Sequence, residues 1–330
     1  MIFPLRKIEV QPTRRCNLNC PPCIGKGVNA GRMDQIPKER LLQLAKEVRV
    51  LDIGHVVISA MYGEPLLHAG VRPFIRCLKE GPSETQYIGL HTNGTLLNEQ
   101  TAELLTSDNR RGDYVHIHLD APAANPDLYK LVHGASPCLQ RKTLSAIESL
   151  TNKKSQKPKA APLCIRIVCL LSPRHEISDL EKMVLELTGM GVDKIRFSAP
   201  ITPIAADSPE SCFITSQQSS DFIRALAGLN ALSKGKVEFS KSRIAPQPGK
   251  VFSRCFVKDS ALVIGPDGKL SPCCYTTFPG FPNKLTAQPE ESLLDLARRM
   301  AGLEFDPRQV CPPCSRDDHE RNRAAQEKEI

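Results

Sequence analysis

At 330 residues, 41% of them hydrophobic and 24% charged, the chain has the composition of an ordinary globular protein with room for a large core. No apolar run reaches the about 18 residues of a membrane span, and the start, MIFPLRKIEV, lacks the regions of a secretory signal, so the reading is a cytoplasmic protein with no membrane partner. The net charge of +8 has one dense run, KKSQKPKA at 153–160, which reads as a solvated loop; without Trp or stacking motifs, nucleic acid is disfavoured as a partner.

In chain order, RKIEVQPT reads as a short strand that runs into CNLNCPPC (16–23), and PKERLLQLAKEVRVL (37–51) as a helix with Pro37 in its first turn. HVVISA (55–60) is a strand by its β-branched run, followed by a helix over 71–80. Strands at 86–92, 114–120, 163–171 and 194–199 then alternate with helices at 98–106, 139–150 and 177–190. Such alternation implies βαβ units and a parallel sheet. After about residue 200 the pattern changes to a proline-bearing connection, a helix over 216–232, and a hairpin in ALVIGPDGKLSPCC with Asp-Gly at its turn. A helix over 290–301 leads to VCPPCSR (310–316) and a charged tail.

Polar or glycine-bearing tips follow four strands: Cys16–Cys23, MYGEP, HTNG and HLDAP. Sites in parallel α/β folds are built at that edge, so these motifs are expected to converge. Thirteen cysteines in a reducing compartment read as metal ligands, reactive thiols or buried fillers. Cys16, Cys20 and Cys23 are spaced Cys-x3-Cys-x2-Cys. Three thiolates can hold three irons of a [4Fe–4S] cube and leave the fourth open; a closed zinc site wants a fourth ligand, and none follows nearby.

With YGEPLLH (62–68), HTNGTLL (91–97) and HLDAP (118–122) following in order, the chain resembles the radical S-adenosylmethionine (SAM) superfamily over about residues 5–200. The resemblance implies a partial (β/α)6 TIM-like barrel carrying SAM and a [4Fe–4S] cluster on Cys16, Cys20 and Cys23. It places Gly63 and Glu64 at the methionyl ammonium, which needs a carboxylate or carbonyl facing it. Asn93 either touches the ribose or shapes the strand end. His118 stands where many members have Ser, Tyr62 where many have Gly, and Pro22 where an aromatic residue is common.

Cys255, Cys273, Cys311 and Cys314 form a second set. It resembles the shortened SPASM module called twitch, and its spacing is similar to that of radical SAM aminocyclitol dehydrogenases. The resemblance implies one auxiliary [4Fe–4S] cluster; a four-cysteine zinc ribbon is the alternative from the ligands alone. Cys274 is either a neighbour of Cys273 or a thiol that returns hydrogen to a substrate radical. Cys77, Cys138, Cys164, Cys169 and Cys212 read as core or surface thiols. The expected division is a core over 1–205, a connection over 206–254 and a cluster-binding module over 255–330.

The expected function is hydrogen abstraction from a substrate C–H bond by the 5′-deoxyadenosyl radical, ending in a two-electron oxidation. The substrate is a small sugar- or aminocyclitol-like molecule or a peptide, and the electron donor a flavodoxin or ferredoxin. Nothing before the first strand could house a leader-recognition domain, which tilts the reading toward small molecules. Peptide epimerisation or cross-linking with Cys274 is the alternative. A non-catalytic iron–sulfur or zinc protein is the reading from another class, against which Glu64 and Asn93 speak.

Overall fold

The computed structural model describes residues 5–23, 33–59, 61, 63–80, 86–110, 112–157, 162–200, 213–239, 244, 254–273, 286–288, 291–304 and 306. Tyr62, Cys212, Cys274, Cys311 and Cys314 lie outside the described residues. The chain divides into two compact units, one of Met1–Arg15, Gly31–Gly89 and Gln247–Ile330, the other of Cys16–Ala30 and Leu90–Pro246. Strands and helices alternate through most of the described residues, and the fold is α/β with a mostly parallel, open sheet. Among the described residues, no helix is long and apolar enough to cross a membrane.

In the first unit β1 (Lys7–Val10) lies between β2 (His55–Ile58) and β8 (Ala261–Ile264), parallel to both, with Val10 opposite Ile58 and Ile264. The short β9 (Leu270–Ser271) runs antiparallel to β8. The hairpin between them is the one expected from Asp-Gly, and Gly268 takes the left-handed conformation (φ 76°) that its turn needs. Helix α1 (Lys38–Val50) buries Leu41, Leu44, Ala45 and Val48, and α2 (Val71–Lys79) buries Val71, Phe74, Ile75 and Leu78; each set forms one stripe at helical spacing. Strand β3 (Tyr87–Thr92) runs from the first unit into the second.

In the second unit β4 (Tyr114–His118), β5 (Cys164–Leu170), β6 (Lys194–Ser198) and β7 (Val237–Glu238) follow one another, all parallel. Helices α3 (Glu99–Thr106), α4 (Pro126–His133), α5 (Pro137–Ser155), α6 (Ile177–Gly189) and α7 (Ser216–Leu232) connect or follow them. Val115, Ile117, Ile165, Ile167, Ile195 and Phe197 are fully buried on one side of these strands. Helix α4 is absent from the sequence reading. Asn125 caps it by accepting from Leu128 N–H, Pro126 fits its first turn, and left-handed Gly134 ends it, so its signals lie at its ends rather than in its eight residues. The last helix, α8 (Leu293–Ala301), starts at the Ser292 cap, three residues later than expected.

Candidate active site

The cysteine loop leaves β1 through Thr13, Arg14 and Arg15. Cys16 is exposed, Cys20 and Cys23 are half-buried, and the Cys23 N–H donates to the Cys20 carbonyl at 3.1 Å, closing a turn around the last two thiols. The Leu18 N–H points at Cys16 Sγ (3.5 Å). Burial pushes the Cys20 thiol well up, and the charges of Cys23, Asp120 and Cys16 add to the effect. Cys16 and Cys23 both raise the Cys20 thiol, so the three need a cation among them to be thiolates together, and the donor set suits a metal cluster. Among the described residues, no three His, Cys, Asp or Glu side chains close around a position for a single metal ion.

Asn93, at the end of β3, is pinned by its own neighbours. Its Oδ1 accepts from Thr95 N–H (3.0 Å) and Thr95 Oγ1 (2.6 Å); a backbone N–H can only donate, which fixes the amide orientation. The Nδ2 group therefore points at the cysteine loop, donating to Asn17 Oδ1 at 2.9 Å and lying 3.9 Å from Cys16 Sγ. Asn17 in turn donates to Thr95 Oγ1 (2.8 Å), and Thr143 on α5 donates to the Asn93 carbonyl (3.1 Å). Gly94, at φ 78°, has no room for a side chain: a Cβ would sit 2.8 Å from Ile117 and 2.9 Å from Thr143. The Thr-Asn-Gly turn thus ties the loop at Asn17.

A second tie comes from residues that the sequence reading does not single out. The His133 carbonyl accepts from Asn19 N–H (3.2 Å), and its ring Nδ1 lies 3.5 Å from Cys20 Sγ. A Cβ on Gly134 would lie 2.2 Å from the Asn19 carbonyl oxygen, so only glycine lets the loop seat there. The available signal was a His-Gly pair at a helix end, which reads as an ordinary C-cap. Burial, then His118 and His175, push His133 down to about 3, and burial pushes His118 down to about 4; both imidazoles are neutral at neutral pH. Burial raises the Asp120 carboxyl to about 7 against the opposing Leu170 N–H.

One face of the same strands is polar. Tyr114, His116 and His118 alternate along β4 with Val115 and Ile117, and Ile117 is on the side of α5. On the polar face Arg166 contacts His116 Nε2 (2.5 Å) and Glu238 (3.3 Å), and Arg196 donates to Glu238 at 3.1 Å. Burial, with the nearby His91 and arginines, holds His116 well below its usual pKa. Charged residues at alternate positions inside apolar strands were the signal for this face.

In the first unit, Gly63 packs directly on the approach to the loop. A Cβ there would fall 2.5 Å from the carbonyl oxygens of both Thr13 and Arg15, and Glu64 N–H donates to the Arg15 carbonyl at 2.7 Å. Glu64 is 1% exposed, and its Oε1 accepts from Leu66 N–H (3.0 Å), capping a 3-10 turn over Pro65–Leu67. The Gly-Glu-Pro motif therefore holds the residue that precedes Cys16. Arg14, almost buried, donates to Asp34 (3.0 Å) and to Asp267 (2.9 Å) in the hairpin turn. Burial would raise the Asp267 carboxyl, but the Lys269 N–H and Arg14 together hold it below its ordinary value. Cys255 precedes β8 and Cys273 follows β9, both half-buried. Of the remaining thiols Cys169 is buried, Cys77 and Cys164 are intermediate and Cys138 is exposed.

The family model described as "Radical SAM superfamily" matches residues 10–187. The GTP 3′,8-cyclase of Staphylococcus carnosus is 30% identical over 122 residues, 36% of this chain and 35% of that protein. That of Staphylococcus saprophyticus is 32% identical over 124 residues, so the chain matches about a third of the length of these curated relatives. Among solved structures, Streptococcus suis SuiB bound to S-adenosylmethionine aligns with a TM-score of 0.64 at 14% identity, covering 91% of this chain and 68% of that one. Native anSMEcpe with bound AdoMet aligns with a TM-score of 0.61 at 18% identity, covering 88% of this chain and 79% of that one. At these identities the likeness is one of fold.

Proposed function

The chain belongs to the Radical SAM superfamily, and from that premise we propose that it cleaves SAM at a cluster held by Cys16, Cys20 and Cys23 and oxidises a substrate C–H bond by two electrons. Cys16, Cys20 and Cys23 would hold a [4Fe–4S] cluster, which when bound would supply the electron for reductive cleavage of SAM, with a flavodoxin- or ferredoxin-type protein as the electron donor. The chain's own residues have three tasks in this reading. Asn17 and Asn93 on one side and His133 and Gly134 on the other hold the three thiols in place. Gly63 and Glu64 bring backbone and carboxylate to the methionyl ammonium, and His118, neutral and half-buried, borders the adenosine. An auxiliary cluster on Cys255, Cys273, Cys311 and Cys314 would supply the acceptor for the second electron.

The observation that carries this reading is the loop itself, three thiols within eight residues, anchored at Asn17, Asn19 and Cys20 with Cys16 exposed to solvent. A sheet face bearing His116, Arg166, Arg196 and Glu238 suits a substrate rich in hydroxyl or carboxylate groups, which favours a small sugar- or aminocyclitol-like molecule. A peptide substrate is the second reading, supported by likeness in fold to SuiB, which has been solved with its precursor peptide SuiA. Anaerobic reconstitution with SAM, a one-electron reductant and candidate substrates, followed by product mass analysis, tests the proposal. A change of about −2 Da, the loss of two hydrogens in a two-electron oxidation, supports it. Unchanged mass with solvent deuterium at the reacting carbon sinks it in favour of epimerisation by Cys274.

A further inference from the structure

His133 sits at the end of α4 and is 2% exposed. Its two ring nitrogens have different partners. The Asp120 N–H donates to Nε2 at 3.1 Å, and a backbone N–H cannot accept, so Nε2 carries a lone pair. The proton of the imidazole is therefore on Nδ1, the nitrogen 3.5 Å from Cys20 Sγ. The Asp120 carboxylate, at 3.6 Å from Nε2, is too far to accept a hydrogen bond from that nitrogen and so does not draw the proton onto it. Tyr129 packs against the ring with centroids 4.5 Å apart, and the His133 carbonyl holds Asn19 at 3.2 Å, so ring and backbone grip adjacent residues of the loop.

We propose that His133 is a positioning residue whose Nδ1–H donates to Cys20 Sγ and raises the reduction potential of the cluster that Cys20 helps to hold. The inference rests on the reading of Cys16, Cys20 and Cys23 as cluster ligands. One-electron reduction adds negative charge that is shared by the cysteine sulfurs. An N–H dipole aimed at one of them stabilises the reduced form more than the oxidised form. A leucine in its place has no N–H to donate and gives no such preference.

The test uses the whole 330-residue chain, reconstituted anaerobically, as wild type, His133→Leu and His133→Asn. Asn can place an amide N–H near the position of Nδ1. Iron per chain is measured first, then the midpoint potential of the N-terminal cluster by EPR-monitored titration. His133→Leu is expected to show a reduced-to-oxidised ratio about tenfold lower at a fixed solution potential, a shift of about 59 mV for one electron. His133→Asn is expected to recover most of that shift. In wild type grown with 15N-labelled histidine, pulsed EPR of the reduced cluster is expected to show a nitrogen coupling that His133→Leu abolishes. A His133→Leu protein with full iron and the wild-type potential overturns the proposal. So does the absence of a 15N coupling in wild type, a measurement that stands even where the leucine variant loses its iron. A wild-type chain that takes up no four-iron cluster removes the underlying reading and this inference with it.

Discussion

Replacing Gly134 by Ala probes the seat of the cysteine loop more sharply than removing any ligand. Gly134 has φ 55°, and left-handed backbone costs a residue with a Cβ about 1–2 kcal/mol. The new methyl would also lie 2.2 Å from the Asn19 carbonyl oxygen, where ordinary contact begins at 3.4 Å, so the loop must retreat by 3.4 − 2.2 = 1.2 Å. Overpacking of this kind adds about 1–3 kcal/mol. Gly235 provides the control: it has φ 80°, and nothing lies within 4 Å of its would-be Cβ. Gly235→Ala should therefore carry the backbone cost alone, and the two variants should differ by about 1–3 kcal/mol. Thermal melts of the unreconstituted proteins measure that difference, at roughly 2–4 °C per kcal/mol for a chain of this order. Iron per chain after anaerobic reconstitution measures its consequence, because a loop displaced at Asn19 also moves Cys20. Gly134→Ala is expected to melt lower and to bind less iron than Gly235→Ala. Equal melting and equal iron in the two variants would refute the argument that this glycine exists to seat the loop.

Glu64→Gln keeps an amide oxygen to accept the Leu66 N–H, so the 3-10 turn should survive while the charge is lost. SAM binding is expected to weaken roughly ten- to hundredfold, the equivalent of a charge-assisted bond of about 1.5–3 kcal/mol; unchanged affinity by titration would show that the carboxylate does not meet the ammonium. Replacing Cys311 and Cys314 together by Ala should leave 5′-deoxyadenosine formation intact and stop substrate oxidation, provided circular dichroism stays native-like. Oxidation that continues in that protein would remove the auxiliary cluster from the electron path.

How far these residues were legible depends on whether their causes are local. The apolar, β-branched runs of β2 and β5 and the helical stripe of α1 declare themselves within ten or so residues, because burial on one face is written as a period. The two-residue β7 is too short to carry any period. The place of β8 beside β1 is not written in either strand, since a parallel neighbour can be chosen from anywhere in the chain. The same holds in the site. Cys16, Cys20 and Cys23 share one loop and announce their chemistry by spacing. His133, more than a hundred residues from Cys20, owes its role to where α4 ends and to the tautomer imposed by Asp120 N–H. Arg14 likewise looks like one of two adjacent basic residues until Asp34 and Asp267 are found on either side of it.

The central claim is that Cys16, Cys20 and Cys23 hold the cluster that cleaves SAM. Its most direct test is iron content and 5′-deoxyadenosine formation, measured anaerobically on wild type and on the protein with all three cysteines replaced by Ala. The account predicts that the triple variant loses about four irons per chain and all SAM cleavage. A triple variant that still forms 5′-deoxyadenosine would contradict it.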